Sequence, residues 1–515
     1  MTRRPRVSVK KAAVLTGALA LAMGVAACGG GSGGGSSNRA LTLILPDTPA
    51  NIDPCMSTFG STGRILRENI TETLTENNTL QNKLEPKLAT SWKQVNPTTW
   101  DFTLRKGVTF SDGSPFNAAA VVHDVQRTLS TKLECHNAIQ DLATVKSVSA
   151  PSTYTFEVKT TAPDPVIPYE FGQVDIASPK TPADKLTNDP VGTGPYELSS
   201  YTAQQSVSLK RNPSYWGTKP DADTVKYLFQ DSPAVRVSSV QSGQADATVD
   251  LPAQFDSVKN AKKFPIEDVA FVWIGQDQAP LNDLRVRQAI NYALDRTGII
   301  KSVFAGLGTP ATQLVVPAVN GFNPNIKPWT YDPAKAKQLL AAAKADGVPV
   351  TKQIDLDMEP GEVGTNGTEF VEAVAGELKA VGLNVKIGNL TEDNHTKYIT
   401  KPYQEGRAPY LQVHDHGNTV GDSYATFIRY VATNGVESTL TDKGVDKLIA
   451  KSTTATGDAR TQLLQQVWQK SMVDDAMYAP LVNVYDVGVT SDRVSYEFPP
   501  NVQDEIHISD FHFTN

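Results

Sequence analysis

The stretch from Trp100 to Val125 constrains the fold most, because its hydrophobic period changes within one short run. Alternate residues are apolar from Trp100 to Leu104, as in a half-buried strand, and the alternation resumes at Val108 after a Lys-Gly turn. Beyond a second turn, Asn117 can accept backbone N–H bonds at the start of a helix whose apolar residues recur every fourth position. The run therefore predicts strand, turn, strand, turn and helix, which is packing chemistry rather than a binding site.

The same run, LRKGVTFSDGSPFNAAAVVHDV, resembles the signature of the family 5 extracellular solute-binding proteins. These are the large dipeptide- and oligopeptide-binding lipoproteins that supply ATP-driven importers. Four other segments resemble motifs of that family: EPKLATSW at 85–92, PVGTGPY at 190–196, KRNPSYW at 210–216 and DLRVRQAINYALDR at 283–296. The resemblance implies an α/β fold with two lobes, like the type II, hinge-bending periplasmic binding proteins, and a small inserted β-rich third domain.

A chain of 515 residues exceeds what one hydrophobic core usually serves, so two or three domains are expected. Helical and strand patterns alternate beyond residue 332, as in an α/β architecture. Continuous helices are predicted over Arg64–Glu76, Leu284–Ile300 and Asp458–Met472. The expected limits are 1–27 for a signal peptide, 28–39 for a lipidated cysteine with a linker, 40–82 with 187–277 and 481–515 for lobe I, 83–186 for the inserted domain, and 278–480 for lobe II.

The N-terminus has the composition of a bacterial lipoprotein leader. Five basic residues precede an apolar run from Ala12 to Ala27, which is too short and too rich in alanine and glycine to predict a membrane span. Val25-Ala26-Ala27-Cys28 resembles the lipobox, in which the cysteine is lipidated and becomes the first mature residue. The Gly/Ser run from Gly29 to Ser37 is typical of a flexible tether. We expect a protein held by lipid on the extracytoplasmic face of the cell membrane; an uncleaved anchor with Cys28 as a buried thiol is the alternative.

Charge and cysteine content limit the partners. Removing residues 1–27 would take away five of the 48 basic residues and none of the 55 acidic ones, which leaves a net charge of −12. Nucleic acid is therefore not expected as a partner, since phosphate binding needs clustered Lys and Arg. The acidity is compatible with a cationic ligand or with solubility alone. Outside the cytoplasm, Cys55 and Cys135 are expected to form a disulfide, with two free thiols as the alternative.

The chain lacks the common catalytic motifs, and we predict no enzyme, no catalytic residue and no cofactor. HExxH, GxxxxGK[ST] and CxxC are absent, and GxSxG occurs only within the Gly/Ser run, at residues 30–34, where it is not a nucleophile elbow. The one compact polar group is His414-Asp415-His416, followed by Asp422. Histidines at i and i+2 point to one side of a strand and could hold zinc or nickel with either aspartate, but a metal needs three well-placed ligands. A polar surface loop is the alternative, and no metal site is assigned.

The resemblance gives this group a third interpretation. The family usually has a Trp-x-x-Asp-Tyr type motif here, whose aspartate pairs with the α-amino group of a bound peptide. Asp415 is the residue that fits, whereas Gln412 and His416 take the Trp and Tyr positions, and Gly417-Asn418-Thr419 replaces the usual Asp-Pro. The ligand-binding residues expected from the resemblance are Asp415, His414, His416, Trp273, Gln276 and Phe59.

The function expected is that of a substrate-binding lipoprotein of an ABC-type importer. It would capture an extracellular solute, in the first place a peptide, by closing its lobes, and would deliver it to the permease subunits in the membrane. We expect a monomer. The alternatives are a receptor of the same fold for nickel, another metal chelate or an oligosaccharide, and, from another class, a secreted hydrolase.

Overall fold

A computed structural model describes residues 39–57, 60–81, 83–135, 137, 142–358, 367–388, 397–500 and 505–514. The strands are β1 (Ala40–Leu45), β2 (Thr75–Asn78), β3 (Lys83–Pro86), β4 (Ala89–Asn96), β5 (Thr99–Leu104), β6 (Val145–Ser152), β7 (Thr155–Thr160), β8 (Tyr196–Thr202), β9 (Ser206–Arg211), β10 (Thr224–Phe229), β11 (Ala247–Thr248), β12 (Ala261–Ile274), β13 (Thr309–Pro310), β14 (Ile354–Met358), β15 (Val385–Ile387), β16 (Tyr410–Gly417), β17 (Ala479–Thr490), β18 (Val494–Ser495) and β19 (His512–Phe513). The α-helices are α1 (Gly60–Leu66), α2 (Ala118–Thr128), α3 (Ile167–Glu170), α4 (Pro233–Gln241), α5 (Leu284–Ala293), α6 (Arg296–Ser302), α7 (Pro333–Ala345), α8 (Gly367–Ala380), α9 (Ser423–Thr426), α10 (Lys443–Ser452) and α11 (Gly457–Trp468). Two π-helical turns, Phe427–Val431 and Gln469–Asp474, extend α9 and α11.

One large sheet organises most of the described chain. Its strands follow the order β15-β14-β16-β12-β17-β11-β1-β10-β9-β8, with β13 added beside β17. β1, β10 and β11 are parallel on one side, and β14, β15 and β16 are parallel on the other. The long antiparallel pair β12–β17 lies between the two groups and belongs to both. We call the part around β1 the first lobe and the part around β16 the second lobe.

The pair β12–β17 changes lobe where its ladder is interrupted. Pairing is continuous from Ala261 to Pro265 and resumes at Val269, so residues 266–268 lie outside the ladder. Ile266 packs in the first-lobe core, whereas Val269 packs in a second-lobe core. The cores therefore separate at residues 267–268, although the sequence placed the limit of lobe I at residue 277. An interrupted ladder is also the point where two antiparallel strands bend most easily.

Both faces of the second-lobe sheet are covered, as parallel strands require. Helices α5, α7 and α8 pack on one face in an aliphatic core, which we call the aliphatic core of the second lobe. The opposite face carries an aromatic core, which includes Trp273, Tyr430, Trp468 and Tyr478 and is covered by α10, α11 and the first π-helical turn. The chain end returns to the first lobe, where Tyr496, Ile508 and Phe511 are buried.

The inserted domain contains the run from Trp100 to Val125. Its sheet has the order β4-β5-β7-β6, and α2 packs against β6 and β7 over a core that includes Phe102, Phe156 and Val121. β5 and α2 follow the predicted pattern, and the side chain of Asn117 accepts the backbone N–H of Ala120 at 3.0 Å. The predicted strand at Val108 is reduced to one isolated bridge at Thr109, because the chain turns back there.

Two predicted helices are shorter than the sequence indicated. The helix expected over Arg64–Glu76 ends at Leu66, because Glu68 adopts a positive φ of 60°, which stops the helix. The helix expected over Leu284–Ile300 breaks at Leu294, whose ψ is 116°, and Asp295 then caps the separate helix α6 through the N–H of Gly298. The hydrophobic period is the same on both sides of that break, so the periodicity did not reveal it.

A disulfide and a buried carboxylate join parts of the chain that are far apart in sequence. A disulfide joins Cys55 to Cys135, both buried. The buried carboxylate of Glu72 accepts hydrogen bonds from Thr193 at 2.6 Å, Trp216 at 2.7 Å and Tyr215 at 3.2 Å. Two of the family-like motifs, PVGTGPY and KRNPSYW, therefore meet at one side chain.

Candidate functional site

The strand directions bring two sets of strand ends to the same place. β12 runs from the first lobe into the second, and β1, through its neighbours β11 and β17, has the same direction. β16 runs antiparallel to β12. The carboxyl ends of the β1 group and of the β16 group consequently both point to the crossing at residues 267–268. Ligands of α/β proteins commonly bind at the carboxyl ends of parallel strands, so this crossing is the candidate site.

On the second lobe, the candidate site is formed by the end of β16. Asp415 stands opposite Ala270 and shares a face of the sheet with Leu411 and Val413, which are buried in the aliphatic core. Asp415 itself is half-buried at the end of that face. The structure thus places this predicted residue at the edge that faces the crossing.

Asp268 is a second carboxylate at this edge, and the sequence-based prediction missed it. It lies opposite Gly417, so it is the diagonal cross-strand neighbour of Asp415. Diagonal neighbours on one face of a sheet are usually about 7–8 Å apart. A Cβ at Gly417 would stand 2.5 Å from Oδ1 of Asp268, so the glycine lets the carboxylate lie over β16. The sequence signal was the acidic pair Glu267-Asp268 between the apolar residues Ile266 and Val269.

The two predicted histidines lie on the opposite face of β16 from Asp415. Nε2 of His414 is 3.0 Å from the hydroxyl of Tyr430, and Nε2 of His416 is 2.8 Å from Oγ1 of Thr426. Burial, the charge of Arg429 and the neighbouring His414 lower the pKa of His416 to about 3, so this ring is neutral at physiological pH. Both rings thus hydrogen-bond within the second lobe, and a ligand contact by either of them remains a prediction.

The two aspartates that could complete a zinc or nickel site do not lie with the histidines. Asp415 points to the other face of the strand, as alternation requires. Asp422 is fully buried and binds Arg460 through two hydrogen bonds of 2.6 and 2.9 Å. Across the described residues, no three His, Cys, Asp or Glu side chains are grouped in a way that could hold a metal ion.

Trp273 and Gln276 occupy packing positions in the second lobe. Trp273 is 0% exposed, and its indole N–H donates to the carbonyl of Glu437 at 2.9 Å. The amide of Gln276 donates to the carbonyl of Met477 at 2.7 Å. These hydrogen bonds lie within the second lobe, and a ligand contact by Trp273 or Gln276 remains a prediction. Phe59 and Cys28 lie outside the described residues.

On the first lobe, an arginine and an aspartate form the counterpart at the ends of β1 and β11. The guanidinium of Arg64, on the helix that follows β1, binds both carboxylate oxygens of Asp250 at 2.5 and 3.0 Å. Asp250 follows β11 with a φ of +53°, and its side chain keeps 25% exposure. The backbone N–H of Asp250 donates to the half-buried carboxylate of Asp486 on β17 at 2.9 Å. This pair thus connects the first-lobe edge to the crossing strands.

The chemistry of the site follows from these groups. Carboxylates of Asp268 and Asp415 on the second lobe favour a cationic group, and an ammonium can donate hydrogen bonds to both. The Arg64–Asp250 pair on the first lobe presents both signs of charge. Covalent catalysis would require a nucleophile next to a base. Among the described residues named at this site, no such pair is present. The helices of the described residues are all too short or too polar to cross a bilayer.

Sequence comparison gives one family match. The family model described as bacterial extracellular solute-binding proteins, family 5 middle, matches residues 83–438. The dipeptide-binding protein of Escherichia coli strain K12 is 28% identical over 420 residues, which cover 74% of this chain and 76% of that protein. Heme-binding protein A of Haemophilus influenzae is 27% identical over 359 residues, which cover 63% of this chain and 65% of that protein.

Solved structures share the architecture. The murein tripeptide-binding protein MppA, in its unliganded open form, superposes with a TM-score of 0.78 at 19% identity and covers 93% of this chain and 98% of its own. The DppA protein of Helicobacter pylori, in complex with the peptide STSA, has a TM-score of 0.70 at 21% identity. The match covers 92% of this chain and 99% of that protein. These likenesses confirm the predicted fold class of two α/β lobes with a small inserted domain.

Proposed function

The chain belongs to the bacterial extracellular solute-binding proteins of family 5, and we propose that the solute it captures is a peptide with a free amino terminus. Members of this family bind solutes for ABC transporters and are not catalysts. We further propose that lipid on Cys28 anchors the mature protein to the extracytoplasmic face of the membrane, where it passes its ligand to the permease subunits. Two acyl chains would hold it there far more durably than one.

The neighbouring carboxylates of Asp268 and Asp415 carry the proposal of a peptide. They lie at the end of β16 and next to the interrupted ladder, where a ligand between the lobes would meet them. An α-amino group is a compact cation with three N–H donors, so two carboxylates on one face suit it well. The similarity to a dipeptide-binding protein over three quarters of both chains supports the same ligand class.

The mechanism proposed is closure about the crossing of β12 and β17. A ligand that contacts both lobes binds the closed form more tightly than the open form and so shifts the population towards closure. The interruption of the β12–β17 ladder at residues 266–268 can absorb the change in backbone angles. The existence of an open form of the tripeptide-binding relative supports such a motion in this fold.

Calorimetry with a matched pair of variants tests the role of Asp415. Asp415→Ala should weaken binding of an unmodified dipeptide about tenfold or more, because charged hydrogen bonds contribute about 1.5–3 kcal/mol each. Asp355→Ala is the control, since Asp355 is also half-buried but lies at the other end of the same strand group, beside Tyr410. It should bind like the wild type.

An N-acetylated dipeptide completes the cycle. Acetylation removes the ammonium, so this peptide should bind the wild type weakly and should bind Asp415→Ala no worse. Equal affinity of the unmodified dipeptide for wild type and Asp415→Ala would remove Asp415 from the site. Release of free amino acids during the titration would instead favour the secreted hydrolase.

A further inference from the structure

A short segment of the inserted domain packs into two cores at once. Val166 is 0% exposed and belongs to the aromatic core of the second lobe. The next residue, Ile167, is also 0% exposed but belongs to the core of the inserted domain. Adjacent buried residues in two different cores mean that the segment after β7 crosses from one domain to the other. The inserted domain therefore touches the lobe that carries Asp415.

The segment meets the turn that follows β16. The hydroxyl of Tyr424 is 3.5 Å from the carbonyl oxygen of Pro163. Gly421, with a φ of +81°, lies so close to Asn77 of β2 that a Cβ there would stand 2.2 Å from its Nδ2. The turn itself is rigid, because the side chain of Asn418 accepts the N–H of Gly421 at 2.8 Å and donates to the carbonyl of Asp422 at 3.0 Å.

Charges on the two sides also influence each other's pKa values. The buried pair Asp422–Arg460 belongs to the second lobe. Burial and then the charge of Asp422 raise the pKa of Tyr169, on the inserted domain, to about 12. Burial raises the pKa of Asp164 as well, with Asp422 adding to the rise and Arg460 opposing it. The pKa values of Tyr169 and Asp164 thus depend on charged groups of the second lobe.

We propose that these residues form a clasp that holds the second lobe against the inserted domain and so stabilises the closed form. On one side, the clasp consists of Asn77 of β2 and of Asp164, Val166 and Tyr169 of the inserted domain. On the second lobe, it consists of Gly421, Asp422, Tyr424 and Arg460. Its turn begins three residues after Asp415, at the same end of β16. Formation of the clasp and closure of the ligand site would therefore both displace this end of the strand. The proposal rests on the hinge motion of the proposed function, and it assigns the inserted domain a part in that motion.

A compensating pair of substitutions tests the clasp. Gly421→Ala places a methyl group against Asn77 and should open the contact, whereas Gly421→Ala combined with Asn77→Ala removes the obstructing amide and should restore it. Gly457→Ala is the control for backbone strain, because Gly457 has a φ of +55° with no atom within 4 Å of an added Cβ. Only a contact across the domains predicts rescue by the second substitution.

The readout is the distance between spin labels at Ser149 and Lys447, two exposed residues on β6 and α10. It is measured by electron–electron double resonance on the full-length chain with Cys28→Ser, without peptide and with an unmodified dipeptide. Gly421→Ala should raise the long-distance population at least threefold, and the double variant should return it to the wild-type value. Identical distance distributions in wild type, single and double variants would overturn the clasp.

A second pair of variants removes buried area instead of adding a clash. Val166→Ala should raise the long-distance population severalfold, because it removes a side chain that is buried in the second lobe. Val174→Ala is the matched control, since Val174 is equally buried but lies within the inserted-domain core. An equal response of both variants would reduce Val166 to ordinary packing and contradict the clasp. These distances need no bound ligand, so the clasp can fail while peptide binding holds, or hold while peptide binding fails.

Discussion

Glu72 gives the sharpest test of how one buried side chain joins segments that are far apart in sequence. Its carboxylate is 0% exposed and accepts three hydrogen bonds, from Thr193, Tyr215 and Trp216. Glu72→Ala leaves the fully buried hydroxyl of Thr193 without this acceptor and weakens the half-buried Tyr215 and Trp216 contacts. A lost acceptor costs about 1–3 kcal/mol for each buried donor, so we expect a loss of about 4 kcal/mol at pH 4.

The effect should depend on pH. Burial, followed by the charge of Glu68, raises the pKa of Glu72 to about 7, above the value of about 4.3 in an unfolded chain. A carboxyl group with a raised folded pKa contributes its full stability below pH 4.3 and loses it as the pH rises through 7. This rise in pKa corresponds to about 3.7 kcal/mol, so Glu72→Ala should cost less than about 1 kcal/mol at pH 8.

Glu72→Gln separates hydrogen bonding from charge. The amide oxygen can accept from Thr193 and Trp216, and the amide N–H can donate to the hydroxyl of Tyr215. The glutamine does not titrate, so this variant should match the wild type at pH 4 and exceed its stability at pH 8. Urea unfolding at both pH values measures the difference. A Glu72→Gln variant that is less stable than the wild type at pH 8 would refute the reasoning.

Two further predictions concern stability. Reduction of the Cys55–Cys135 disulfide, whose cysteines are 80 residues apart, should lower the free energy of unfolding by about 3–4 kcal/mol; identical urea midpoints with and without reductant would contradict this. Burial alone would lower the pKa of His507, but Glu505 outweighs it and raises the pKa to about 9. Its stabilisation should therefore be full below pH 6.5 and lost as the pH rises through 9, so the cost of His507→Gln should shrink between pH 6 and pH 10, and a constant cost would argue against the ion pair.

Local patterns predicted much of the fold, and long-range contacts explain most of the rest. The alternation in Trp100–Leu104 and the cap at Asn117 were sufficient to predict β5 and α2, because both depend on neighbouring residues alone. The break at Leu294 was not visible, since the apolar stripe continues across it. The change of lobe within β12 was also missed, because the hydrophobicity of a strand gives no sign of which core each half joins.

The candidate site was predictable in part. Alternation alone separates Asp415 from His414 and His416, and the structure has them on opposite faces of β16. Asp268 could have been found as a charged residue inside an apolar strand, but its position beside Asp415 depends on the register of β12 and β16. The Arg64–Asp250 pair joins residues 186 positions apart, and no local pattern indicates it.

Native mass spectrometry of the freshly purified protein tests the central claim most directly, because a receptor that closes on its ligand retains it. We predict a bound mass that, after release and fragmentation, is an intact peptide with a free amino terminus, and that is lost in Asp415→Ala but kept in Asp355→Ala. A bound metal chelate or saccharide, or a peptide whose amino terminus is blocked, would contradict the account.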